Sequence, residues 1–546
     1  LRALDKVLAF FPPDLANIGQ GSNSWVVAPA RSQSGHAMLA NDPHLRITIP
    51  SFWHEVHIRT PNFNAMGVAV PGGPFVISGN NEHVSWGVTN GYTNVADLTP
   101  IKLDRQGRFH LGKKAYQSQH ISPTVYARSG PLYVPIFWQR FRTTPLGPIL
   151  PIPWPKERIL LLQWSGLSLT IHPFIGLFQL LKAKDARDVD RIFQHVQTPC
   201  FNLVFADTKG QIGYRQVGLL PRRLAGQRGL INPDDPREFW LDFLKPHEVP
   251  FLLQPKRGFI VTANNRTFPP NYPFYTGDSF TLGFRAKRIE TLLQARPKHT
   301  PETFQAIQND TYVPDAQILL DLMLGQLHLA LGKDLPDPLT SEAIRILQRW
   351  DRRADLEQIA PTIFRTWLNH FEKTAFQTDR VAPPTAAILA LLRGQLKAGN
   401  TQTTPQILKN SFAAALQQLK KHLSPNIQTW HWKRFHSLTM KHLLNTTEQW
   451  NPPPLPVYGD TETVSPASSL GKGPFYSEVM ASYRLVTEMR PGRIRSWGVL
   501  AGRQIDRDPL KPSEQLRLWH KGQYRPRPFY PDQIQKHKKA DYLIKF

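Results

Sequence analysis

Three features of this 546-residue chain predict an α+β fold carrying a helical insertion. Short apolar-alternating runs punctuated by Pro, Gly and Asn fill residues 22–100 and recur from Arg158 to Pro221. Apolar residues then recur three and four apart across roughly 299–425. Strand and turn character returns from about Trp430.

The first runs, SWVVAPA, HAMLAN, FWHEVHIRT and FNAMGVAV, read as strands of one sheet. The stretch from Pro123 to Pro155, ending PLGPILPIPWP, argues against regular structure and for an ordered surface loop. RILLLQWSGLSL and FNLVFADTKGQIGYRQVGLLP return to strand character, with DTKG as a hairpin signal. In HTPETFQAI, Thr300 is the expected N-cap, Pro301 the first helical residue, and Thr303 stands where a capping box would prefer Glu. PDAQILLDLMLGQLHLAL, SEAIRILQRW and APTIFRTWLNHFEKTAF continue the helical period. The resulting division is a spacer remnant at 1–21, the first part of a core at 22–298, a helical region at 299–425, and a return to the core at 426–546. That last part ends in a basic, Pro-rich tail from His520, read as a solvated strap.

Composition narrows the class. Hydrophobic residues at 41% and aromatics at 11% supply enough apolar area to offset the entropy of ordering, so the chain folds. The net charge of +25 is compatible with nucleic acid, an anionic surface or an envelope polymer. Lys and Arg are nevertheless spread along the chain without a nucleic-acid-binding signature, which makes nucleic acid an unlikely partner. The single cysteine, Cys200, excludes an internal disulfide framework and any CxxC site. No apolar run reaches the ~18 residues of a membrane span, and AAILALLRGQL from Ala386 is broken by Arg393. The chain begins with Leu and shows no leader, the expectation being a fragment or processed piece.

HEVH at His54 to His57 invites a zinc reading, but the helical zinc motif needs histidines four apart on one face, and these are three apart in a strand-like run. A GxxxxGKS phosphate loop and a GxSxG elbow are both absent from the sequence.

A different set of segments is more specific. GSNSWVV at Gly21, GNNEHVSWGVTNGYTNVADL at Gly79, GLLPRR at Gly218, IVTANNRTF at Ile260 and GFRAKRIETLL at Gly283 occur in this order. QNDTYVPDA at Gln308, LQRWD at Leu347 and GDTETV at Gly459 extend the series. Together they resemble the large β chain of the penicillin acylase (penicillin amidase) family of N-terminal nucleophile hydrolases, similar to acyl-homoserine-lactone acylases. The resemblance implies a four-layer αββα core, self-cleavage at Gly21–Ser22, and hydrolysis of an amide through a Ser22 acyl-ester.

The chemistry suits that pattern. A serine hydroxyl is a weak nucleophile without a base. Cutting before Ser22 would create an α-amine with a pKa of about 7.7–8.0 on the same residue, able to take the hydroxyl proton directly or through one water. Gly21 lacks a Cβ and so lets the hydroxyl reach the preceding carbonyl for an N→O acyl shift. By the resemblance, the backbone N–H of Asn90 and the side-chain amide of Asn264 receive the oxyanion. His44, in NDPHL, lies near the nucleophile where penicillin G acylases carry Gln and lactone acylases carry His. Arg285 supports the Asn264 region, and Asn23 assists locally. Trp25, Phe52, Trp53 and Phe75 are candidates for an apolar acyl pocket.

The resemblance further implies one calcium ion, held by Asn94, the Ala96 carbonyl, Asp97, the Pro221 carbonyl and Asp278. Asn94 stands where a carboxylate is usual. A small α chain from the same precursor or a neighbouring polypeptide would complete the acyl pocket, and the periplasm is the implied compartment. AGRQ at Ala501 departs from the family's GQSG-like segment. Expected substrates are N-acyl compounds such as acyl-homoserine lactones or β-lactam side chains, with His44 favouring the former. The alternative is a catalytically silent homologue without an α chain, binding envelope material through its basic surface.

Overall fold

The computed structural model describes residues 21–169, 174–223, 235, 240, 242–332, 337–377, 385–396, 402–443, 448–468, 476–504, 510 and 512–537. Apart from Gly21, the segment read as a spacer remnant lies outside the described residues.

Two antiparallel sheets form the centre. In the first, an eight-stranded sheet, the main path runs Phe259–Thr262, Gly21–Val27, Met38–Arg46, Tyr483–Glu488, Arg495–Leu500 and Arg525–Pro526. The second runs Phe251–Leu253, Ile212–Val217, Phe201–Asp207, Val84–Asn90, Ser78–Asn81, Asn64–Ala69 and His54–Arg59. Strand alternation divides the side chains between two faces. Trp25, Val27, Met38 and Ala40 turn outward onto Ile289 and Phe304 of the helices Phe284–Gln294 and Pro301–Gln308. Val26 and Leu39 turn inward onto Val204, Ala206 and Tyr214 of the second sheet. The second sheet's outer face packs Trp86, Leu203 and Phe205 against Leu180, Val189 and Phe193 of the helices Ile175–Leu180 and Ala186–Phe193. The order is therefore helix, sheet, sheet, helix, the four layers implied by the sequence.

The sheets meet closely where Gly87 faces Asn41 and Ser24. A Cβ on Gly87 would fall 2.5 Å from the Asn41 Cβ and 2.8 Å from the Ser24 Oγ, so only glycine fits. Asn41 spans this gap, donating through Nδ2 to the Asn23 and Val88 carbonyls, each at 2.9 Å.

Helices Pro314–Leu331, Pro338–Arg349, Ala360–Phe376, Thr385–Leu392 and Thr404–His422 build a separate apolar core around Trp350, Phe364, Trp367 and Phe412. Each such buried side chain contributes roughly 1.5–3 kcal/mol. Proline occupies the first turn of four of these helices, at Pro314, Pro338, Pro361 and Pro405, where its missing N–H costs no intrahelical bond. Thr300 and Thr303 cap each other at the helix Pro301–Gln308, Thr303 taking the part expected of Glu.

Two local expectations are corrected. Residues 123–155 are not an irregular loop: they supply the strands Thr124–Ser129, Leu132–Trp138, Phe141–Thr144 and Gly147–Trp154. The ladder of Gly147–Trp154 shifts register between Leu150 and Pro153, and this break accommodates prolines that cannot donate to it. The C-terminal segment is also not a solvated strap over its described part. Arg525–Pro526 pairs with Arg495–Leu500, and Phe529 is buried against the core.

Candidate active site

Ser22 is the second residue of its strand and is buried at 6% exposure. Antiparallel pairing sets Gly21 opposite His44, Ser22 opposite Pro43 and Asn23 opposite Asp42. The Ser22 hydroxyl donates to the Gly21 carbonyl oxygen, which places the nucleophile candidate against the peptide unit it would cleave. The Ser22 backbone N–H donates to Asn264 Oδ1 at 2.7 Å.

Asn264 follows the neighbouring strand Phe259–Thr262 at φ 64°, a left-handed conformation that asparagine tolerates better than most residues. Its Oδ1 also accepts from Arg285 Nη2 at 2.9 Å, which turns Nδ2 toward the Asn90 carbonyl, likewise 2.9 Å away. An amide nitrogen carries two hydrogens, so one remains to donate elsewhere. Asn90 ends its strand in the second sheet, and the Asn264–Asn90 contact therefore closes the gap between sheets beside Ser22.

Arg285 enters from the outer helical layer as the second residue of the helix that Gly283 starts at φ 83°. Its Nη1 donates to the Ser22 carbonyl at 3.0 Å and to Asn23 Oδ1 at 2.6 Å. Burial lowers the guanidinium pKa, opposed by the charges of Glu462 and Asp42. One buried cation thus holds the nucleophile residue, its successor and the Asn264 amide together.

His44 hydrogen-bonds Asp42 Oδ2 through Nε2 at 2.7 Å. Asn23 Nδ2 spends its hydrogens on Asp42 Oδ2 and the Val464 carbonyl, both at 2.8 Å. The proton between His44 and Asp42 therefore belongs to the imidazole Nε2, leaving Nδ1 as an acceptor. Burial pushes the His44 pKa down to about 4, so the ring is neutral at physiological pH. Its Nδ1 faces Gly21: a Cβ there would lie 3.1 Å from it, 3.2 Å from Arg285 Nη2 and 3.3 Å from Asn264 Oδ1. His44 lies with Asp42 and Asn23 on the outer face of the sheet, adjoining the Gly21–Ser22 junction.

Three participants lie in segments quoted from the sequence without being assigned a role there. Asp42 stands two residues before His44 on the same strand face, and this spacing was the available clue. Gln308 reaches Asp42 Oδ1 from the outer helix at 2.9 Å. Glu462 lies in the GDTETV segment near Arg285, and burial raises its pKa to about 7. No local spacing points to either of the last two. Behind Glu462, buried Arg365 joins Asp315 of the helical region to Asp460.

Other sequence candidates are elsewhere. Trp25 faces the helical layer, 5.6 Å from the Phe304 ring, on the strand face opposite the Ser22 hydroxyl. Phe75 stacks on Phe174 at 4.8 Å in the other outer core, and Trp53 packs on the 43%-exposed Phe52. In HEVH, His57 bonds Asn64 at 2.6 Å while His54 contacts Gln504, so the two rings serve separate neighbours. Among the described residues, no group of three or more His, Cys, Asp or Glu is arranged to hold a metal.

Of the five residues assigned to calcium, Asn94, Ala96, Asp97, Pro221 and Asp278, three have oxygens already engaged within the protein. Asp97 Oδ2 already accepts from Arg223 and Trp240, the Asn94 carbonyl accepts from Arg223, and Asp278 accepts from Tyr275.

The penicillin amidase family model matches residues 2–536. The chain is 26% identical over 575 residues to the acyl-homoserine lactone acylase QuiP of Pseudomonas aeruginosa, covering 94% of this chain and 67% of that protein. It is 27% identical over 507 residues to the penicillin acylase 2 proenzyme of a Pseudomonas species, covering 85% of this chain and 61% of that protein. It thus spans about two thirds of the length of these relatives. The penicillin G acylase of Alcaligenes faecalis shares the fold, with a TM-score of 0.72 at 16% identity over 96% of this chain and 99% of that one. With the family model spanning the described core and the relatives named as acylases, the chain belongs to the penicillin amidase family of amide-hydrolysing enzymes.

Proposed function

We propose that this chain hydrolyses N-acyl amides through a Ser22 acyl-ester, after scission of its own Gly21–Ser22 bond. The observation that carries the reading is the double grip of Asn264: Oδ1 holds the Ser22 nitrogen at 2.7 Å, while Nδ2 stands beside the Asn90 backbone. Scission turns that held nitrogen into an α-amine. Arg285, bonded to the Ser22 carbonyl, disfavours a second positive charge nearby and so keeps the amine unprotonated, its lone pair free to take a proton. The amine then takes the proton of Oγ as Oγ attacks the acyl carbonyl. The second hydrogen of Asn264 Nδ2 and the Asn90 N–H receive the oxyanion, each such donor being worth roughly 2.7–4 kcal/mol in catalysis. The amine product departs with the proton, and water activated by the same α-amine releases the carboxylic acid.

Acyl-homoserine lactones lead the proposed substrates, because His44 occupies the position that distinguishes such acylases and their named relatives match this chain over 94% of its length. β-Lactam side chains are the second class. A polypeptide corresponding to the remaining third of the relatives would act as the α chain, and the periplasm is the proposed compartment.

The test is intact mass and N-terminal sequencing of the protein produced with the upstream region of its gene. A large chain beginning Ser-Asn-Ser-Trp in wild type and absent in Ser22→Ala is the expected result. An uncut wild-type chain would refute the mechanism and leave the basic envelope-binding protein as the reading.

A further inference from the structure

We propose that Arg223 is a built-in cation that replaces calcium in this chain, making the segment that follows Asn90 independent of metal. Its guanidinium lies among the residues that the family resemblance assigns to calcium. Nε and Nη2 donate to Asp97 Oδ2 at 2.9 and 2.6 Å, and Nη1 donates to the Asn94 carbonyl at 2.9 Å. The side chain is 4% exposed and its carboxylate partner 11%, so the pair is held away from bulk water.

The surroundings are built for an organic cation. Trp240 donates its indole N–H to the same Asp97 oxygen at 2.7 Å, and its ring centroid lies 5.8 Å from the guanidinium carbon. Asn94 presents a neutral amide where calcium would want a carboxylate, and that amide turns Nδ2 toward Asp97 Oδ1 at 3.4 Å and Oδ1 toward the Ala96 N–H at 3.2 Å. Arg223 answers the Asp97 carboxylate and the Tyr275 hydroxyl holds Asp278 at 3.1 Å, and a divalent ion entering here would be repelled by the guanidinium.

The guanidinium ties segment 94–97 to the chain at Arg223, and backbone bonds bring in a third segment. The Arg223 carbonyl accepts from the Tyr275 N–H at 2.9 Å, and the Asn94 N–H donates to the Thr276 carbonyl at 2.7 Å. Segments 94–97, 218–223 and 275–278 are thereby joined at one point. The first of these begins four residues after Asn90, so the clamp fixes the backbone leading away from the Asn90–Asn264 contact.

The experiment compares thermal midpoints of the full chain in excess calcium and in chelator, with calcium content measured by elemental analysis. The wild type is expected to carry no stoichiometric calcium and to melt at the same temperature in both. Arg223→Ala is expected to melt several degrees lower in chelator, because Asp97 is left buried without its cation. Asn94→Asp combined with Arg223→Ala restores an ion-binding donor set and is expected to melt higher with calcium than with chelator. One equivalent of tightly held calcium in the wild type, lost to chelator with a fall in midpoint, would overturn the proposal even if neither variant folds. An Arg223→Ala midpoint equal to wild type in chelator, or a double variant indifferent to calcium, would overturn it as well.

Discussion

Asn264 offers the sharpest separation of chemistry from architecture, because its two amide atoms do different work. Oδ1 accepts from Ser22 N and Arg285 Nη2, while Nδ2 donates to Asn90 O at 2.9 Å. Asn264→Ala removes all three bonds and places alanine at φ 64°. The left-handed conformation costs roughly 1–2 kcal/mol, and stranding two buried donors adds roughly 1–3 kcal/mol each, reduced by relaxation. A loss of about 3–5 kcal/mol is expected. Asn264→Asp keeps both accepted bonds, adds a negative charge beside Arg285, and remains a residue that tolerates this backbone. What it loses is the donor, leaving the Asn90 carbonyl facing an oxygen. The aspartate variant is therefore expected to lie within about 2 kcal/mol of wild type in chemical denaturation. Turnover of an N-acyl substrate is expected to fall roughly 100- to 1,000-fold in the processed aspartate variant, the usual effect of removing an oxyanion donor. The paired assay is denaturant melting alongside steady-state hydrolysis by wild type and both variants, each checked for scission by mass. An aspartate variant that is processed and turns over within about tenfold of wild type would falsify the donor assignment, since tenfold is only about 1.4 kcal/mol.

Further outcomes follow from the same network. Gly21→Ala is expected to slow scission without abolishing it, because the new methyl meets His44 Nδ1, Arg285 and Asn264 at 3.1–3.3 Å; unchanged cleavage kinetics by mass spectrometry would contradict this. Burial holds the His44 pKa near 4 against 6.5 unfolded, so the unfolded chain takes up the proton more readily. The associated stability is complete above pH 6.5 and is lost as pH falls toward 4, by roughly 3 kcal/mol at the limit. His44→Gln should flatten that slope in denaturant midpoints measured across this window. Glu462 has the opposite sign: its pKa rises from 4.5 to about 7 on folding, so its contribution is most favourable below 4.5 and declines as pH rises through 7. Glu462→Gln should therefore help stability more at pH 8 than at pH 5, and an equal effect at both would remove Glu462 from the buried charge network.

The strand-like runs of residues 22–100, the helical period after residue 298 and the family segments from GSNSW to GFRAKRI all rest on local or ordered sequence pattern. They were enough to specify the class of the chain, its layers and the neighbourhood of Ser22. The prolines of 147–154 misled because a register shift, absent from any local rule, lets a strand carry them. Gln308 and Glu462 lie in two of the quoted family segments, QNDTYVPDA and GDTETV, but they stand 286 and 440 residues from Ser22 along the chain, and bonds between such distant segments leave no periodic trace. The Arg223 clamp shows the limit most plainly. Its residue was on view in GLLPRR, but charge attraction depends on distance and burial rather than order, and only folding brought that guanidinium within 2.6 Å of Asp97.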